Sequence, residues 1–171
     1  MTEKLIVEEH GRTITFTFDD MIRYHGPDSP AGVAVAFKAM LCAFPLLSAE
    51  APIPRRSVVV RTAFRGPGAR DGFEAVTRAV SDDRYVVDRS LVRTDRGRLV
   101  EDFVFVLSLG NRDVTLLLRD GFITHEFIEL ARAQHRTVEQ ERQLAALKAR
   151  LAYKLLSSRT EDVFDAGQGQ G

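Results

Sequence analysis

The chain has 171 residues, 44% hydrophobic and 28% charged, which suits one folded domain with a sizeable core. Its 24 Lys and Arg are balanced by 24 Asp and Glu, which excludes a global basic excess of the kind that draws nucleic acid. The one cysteine, Cys42, excludes an intrachain disulfide and any multi-cysteine zinc or iron–sulfur site.

Leu5-Ile6-Val7 and Thr13 to Phe18 are β-rich and flank His10-Gly11-Arg12, which predicts a β-hairpin with a glycine turn. Asp19-Asp20 is expected to cap a short helix, Met21 to Tyr24. The compact loop Arg23-Tyr24-His25-Gly26-Pro27-Asp28-Ser29-Pro30-Ala31-Gly32 follows. It opens a helix predicted from Pro30 to about Phe44, apolar nearly all round and therefore central. The apolar run Ala31 to Leu47 is interrupted by Lys38 and meets Pro45, so it reads as too short for a membrane span. Met1-Thr2-Glu3-Lys4 carries no charged-then-apolar signal pattern, and the expectation is a soluble cytoplasmic protein with no membrane partner.

Pro45, Pro52 and Pro54 mark a stiff connection to Val58-Val59-Val60, a β-branched run expected as a strand buried on both faces. Arg61-Thr62-Ala63-Phe64-Arg65 then leads into Gly66-Pro67-Gly68 and a helix over about Ala69 to Val80. Strands are expected over Tyr85 to Val92, Leu99 to Leu107 and Val114 to Leu118, joined as a meander. Thr124 can cap a helix to about Gln134, and Thr137 with Gln140 fits a capping box for another to about Leu156. Leu144, Leu147, Leu151 and Leu155 repeat near heptad spacing, and that face needs a surface: a second protomer, or the domain's own sheet. The reading is an α+β fold in which helices pack a mixed sheet. Residues 1–121 form the core, 122–158 a helical arm that makes a homodimer, and 159–171 a disordered Gly/Gln-rich tail.

Ionisable groups at the mouth of a buried helix point to a site. His25, held on a loop between Tyr24 and Gly26, can act as acid or base near neutral pH. Asp28 and Ser29 stand where side-chain oxygens cap a helix, so one is expected to cap and the other is free for a ligand. Arg61 and Arg65 bracket the end of the buried strand before a glycine turn and a helix start, a common anion pocket. Arg61 can instead pair with Asp71 or Glu74. Tyr24 and Phe64 can wall an apolar pocket, or simply pack. Arg89 to Arg98, interleaved with Asp, reads as solvated strand faces.

The stretch His25-Gly26-Pro27-Asp28-Ser29-Pro30-Ala31-Gly32 resembles the His-Gly-His-x-Cys-Pro-Gly signature of formylmethanofuran dehydrogenase E-subunit proteins. Ala69-Arg70-Asp71-Gly72-Phe73-Glu74-Ala75-Val76 resembles that family's second motif, a helix with a Cys-x-x-Asp-Ala-Ile pattern, and the likeness spans about residues 19 to 120. It implies an α+β layer on a mixed sheet, often dimeric, with metal held by the motif histidines and cysteines. Here only His25 of those ligands remains. Pro27, Ser29 and Gly68 replace the second histidine and the two cysteines. Zinc needs a near-tetrahedral set of N, S or O donors, so His25, Asp28 and Asp71 could supply one only through a rearranged site. No cofactor is expected, with zinc the conceivable exception.

Two functions follow as expectations. The first is an enzyme of isomerase, lyase or cyclase type without a redox cofactor, acting on an anionic or carbonyl-bearing small molecule. His25 would move the proton, Asp28 or Asp71 orient it, and Ser29, Arg61, Arg65 and Tyr24 hold the ligand. The alternative is a non-catalytic metal- or ligand-binding accessory homodimer like the resembled family.

Overall fold

A computed structural model describes residues 2–170. The expected hairpin forms from β1 (Leu5–Glu9) and β2 (Arg12–Phe16), with Val7 opposite Ile14. His10 and Gly11 both take positive φ, 52° and 75°, as a two-residue hairpin turn requires. The cap of α1 (Phe18–His25) is Thr17 rather than Asp19-Asp20. The Thr17 hydroxyl accepts from the Asp20 amide, and the Asp20 carboxylate accepts from the Thr17 amide.

α2 (Pro30–Leu47) runs past Pro45, contrary to expectation, because that proline sits in the last turn and its missing N–H forfeits a single helical bond. Its length and composition would suffice to cross a membrane, which corrects the reading of this run as too short. Here it is packed by protein, with Val33, Ala36, Ala39 and Met40 wholly buried. Lys38 is wholly buried too. Its ammonium donates to Glu3 Oε1 at 2.7 Å and to the Ser158 carbonyl at 2.8 Å, so a charge inside the core ties Glu3 and Ser158 to the central helix.

β3 (Ile53–Pro54) lies parallel to β1, completing a sheet of order β2-β1-β3. β4 (Val59–Thr62) leads to α3 (Pro67–Thr77), shorter at its C-terminus than the Ala69–Val80 expected. The Arg55 guanidinium takes the carbonyls of Ala75 and Val76 at 2.8 and 3.0 Å, satisfying groups that another turn would have used. β5 (Tyr85–Val87) pairs parallel to β4 and stops at Asp88, whose carboxylate accepts from the Ser90 amide and starts a tight turn. The meander is therefore reduced to the hairpin of β6 (Val104–Leu109) and β7 (Arg112–Leu118), with residues 89–103 folded into turns beside it.

α4 (His125–Arg132) and α5 (Val138–Ser157) follow, α5 opened by the expected Thr137–Gln140 box. α5 is not a separate arm. Leu144, Leu151 and Leu155 are buried and Leu147 is half-buried, and α5 packs on the chain's own α2 and α4. The tail expected to be disordered forms β8 (Phe164–Gln170), paired along the whole of β7 from Leu118–Phe164 to Arg112–Gln170. β7 offers an open row of amides and carbonyls, and buried Phe164 anchors the strand that fills it. Gly171 lies outside the described residues. The second sheet has the order β5-β4-β6-β7-β8, and the architecture is α+β with helices packed on mixed sheets.

Candidate functional site

The starts of α2 and α3 meet. A Cβ on Gly68 would lie 2.6 Å from the Ser29 carbonyl oxygen and 3.1 Å from the Gly32 Cα, so the two first turns touch backbone to backbone and position 68 admits no side chain. Neither helix has a side-chain cap: one of Asp28 and Ser29 was expected to cap α2, but Ser29 occupies the N-cap without making the bond, and Gly66 has no side chain to offer. The amides of Ala31, Gly32 and Gly68 have no acceptor among the described residues. No acidic residue sits in either first turn, so the positive ends of both helix dipoles stay uncompensated.

A cleft of about 590 Å³ opens at this junction. Ser29, Ala31, Gly32 and Gly68 form one end. Its apolar wall comes from Phe64, Leu99, Phe103, Phe127 and Ile128, with the Phe64 and Phe103 rings 4.6 Å apart. Five cationic side chains line it, Arg65, Arg89, Arg98, Arg132 and Lys148, against one carboxylate, Asp102. Arg89 pairs with Asp102 at 3.1 Å and also donates to the Ala63 carbonyl, while Arg132 approaches the same carboxylate at 3.9 Å. Lys148 donates to the Asp28 carbonyl at 3.2 Å, next to the start of α2. Arg65 and Arg98 pair with no carboxylate among the described residues.

The sequence candidates divide. Ser29 and Arg65 line the cleft. Asp28 reaches it only through the carbonyl that Lys148 holds. His25 and Asp71 come together elsewhere: His25 Nδ1 lies 2.7 Å from Asp71 Oδ2, joining the end of α1 to α3, and the imidazole is 6% exposed. His25 Nε2 is buried with no partner, and Asp71 also takes Arg70 at 3.3 Å. Arg61 pairs with Asp88 at 3.4 Å rather than with Asp71 or Glu74, and the Ser90 hydroxyl, helped by Arg61, holds the Asp88 carboxyl below the usual range. Tyr24 is mostly exposed at 57%. None of His25, Asp71, Arg61 and Tyr24 is part of the cleft wall.

Arg89 and Arg98, read from sequence as solvated strand faces, are cleft residues because residues 89–103 fold into turns. Asp102, Arg132 and Lys148 had no local signal, since they arrive from three separate segments.

The metal donors implied by the resemblance do not assemble. Ser29 and Gly68 stand where its cysteines would be and do adjoin, but the space for a side chain at 68 is filled by Ser29. Among the described residues no group of three or more His, Cys, Asp and Glu side chains could hold a metal ion. The sequence matches no protein-family model and no curated protein.

Proposed function

We propose that the protein binds a small organic anion in the cleft between the starts of α2 and α3 and the α4–α5 hairpin. The observation that carries this reading is the excess of cationic side chains over carboxylates around an apolar wall, in a space of ligand size. Unpaired guanidinium groups and free first-turn amides favour negative charge, and the phenylalanines favour an apolar body.

A second reading keeps the expected acid–base enzyme, with His25 moving a proton and Asp71 orienting its ring. It is favoured by the buried, unpartnered Nε2 and opposed by the absence of His25 from the cleft wall. A kinship with the E-subunit proteins of formylmethanofuran dehydrogenase is likewise proposed. Its support is the contact between Ser29 and Gly68, the positions of the two motif cysteines, and it would make the protein an accessory binder rather than a catalyst.

The chain has no tryptophan, so naphthalene fluorescence can be read without tryptophan emission beneath it. 1-Naphthoate should bind saturably, and Arg65→Glu with Arg98→Glu should weaken it at least tenfold, about 1.4 kcal/mol. The same pair should leave urea-unfolding stability within about 0.5 kcal/mol, since both side chains are exposed. An unchanged affinity in the double variant rejects the cleft as the site.

A further inference from the structure

Resting on the reading of the cleft as an anion site, we propose that its ligand is a phosphate monoester on an aromatic body, with the phosphate at the α2–α3 junction and the ring against Phe64 and Phe103. Charge accounting separates this from a simple carboxylate. Asp102 answers Arg89 at 3.1 Å and is only approached by Arg132 at 3.9 Å, so its one charge covers at most one of the two. Arg65, Arg98 and Lys148 are not answered at all: two have no carboxylate among the described residues, and the third holds only a neutral carbonyl. A carboxylate brings a single charge. A phosphate monoester brings nearly two at neutral pH, and three acceptor oxygens, enough for a guanidinium, an ammonium and main-chain amides together.

Position follows from the same residues. Arg65 directly precedes Gly66, the N-cap of α3, and Lys148 reaches from α5 to the Asp28 carbonyl beside the start of α2, so two of the three unanswered cations stand next to the free amides of Ala31, Gly32 and Gly68. The close approach of these first turns depends on Gly32 and Gly68, at which a Cβ would meet backbone within 3 Å. The Phe64–Phe103 pair, tilted by 32°, supplies an apolar surface on which an aromatic ring can lie. The volume leaves room for a body of one or two fused rings beyond the phosphate.

The test is fluorescence titration of the full chain with 1-naphthyl phosphate and 1-naphthoate, with inorganic phosphate as competitor. At pH 7.5 the phosphate ester should bind at least tenfold tighter than the carboxylate. The advantage should shrink severalfold by pH 5, because the second phosphate proton leaves near pH 6. The charged groups that line the cleft, Arg65, Arg89, Arg98, Arg132, Lys148 and Asp102, include no histidine, and naphthoate should change little over that range. Arg65→Gln should weaken the ester more than the carboxylate, and Arg65→Lys should restore part of the loss, with circular dichroism confirming that each variant is folded. Equal affinity for ester and carboxylate overturns the phosphate assignment while leaving the anion reading intact. Inorganic phosphate competing as well as the ester overturns the aromatic body. Binding of neither naphthyl compound removes both this proposal and the reading beneath it.

Discussion

The His25–Asp71 pair and the cationic cleft both border α3 but treat charge in opposite ways. The pair is closed off from the cleft: Nδ1 of the ring and the carboxylate meet at 2.7 Å across the α1–α3 contact, with the imidazole almost wholly covered and Nε2 left without a partner. The cleft is open: guanidinium groups surround an apolar wall with too few carboxylates to answer them. A buried polar group must find a partner or destabilise the fold, whereas an exposed cation can remain unmatched with water as its partner. The lesson is that a buried ionisable residue is a poor guide to the ligand site when its partner lies beside it, and that unmatched exposed charge on an apolar wall is the better sign.

The largest effect expected breaks the scaffold under the cleft alone. Leu151 is buried on α5, the helix that carries Lys148 and packs on α2. Leu151→Asp should cost on the order of 4 kcal/mol in urea unfolding, through lost packing and a buried charge. A loss below about 1 kcal/mol would return α5 to the role of a free arm.

The next sharpens the closed side. Asp71→Ala leaves both nitrogens of a buried imidazole without a protein partner and should cost about 2 kcal/mol. Asp71→Asn keeps an acceptor for Nδ1–H and should recover most of that. If both variants lose anion binding equally while staying folded, the pair and the cleft are one site and the comparison fails.

The smallest concerns Tyr85, half-buried against Phe73 of α3 with its hydroxyl covered. Its hydroxyl has no partner, and burial pushes its pKa from 10.0 up to about 12. An unfolded chain releases this proton near pH 10 while the folded protein holds it, so stability should fall as pH rises between 10 and 12. Tyr85→Phe should remove that contribution and, at neutral pH, gain about 0.5–1 kcal/mol by deleting an unpaired buried hydroxyl. Equal alkaline unfolding midpoints for both proteins would contradict this.

What the sequence determined by itself was local: the first hairpin, the central apolar helix opened by Pro30, the Thr137–Gln140 box, and a helix start soon after the strand and Arg65. These depend on contacts a few residues apart, where residue type sets geometry directly. The tertiary structure alone decided that α5 packs on α2 and α4, that a Gly/Gln-rich tail becomes a strand, and that Arg98, Asp102, Arg132 and Lys148 surround one cavity. Each outcome joins segments far apart in the chain. Periodicity marks an apolar face without naming what covers it, and composition counts charges without saying which of them find partners.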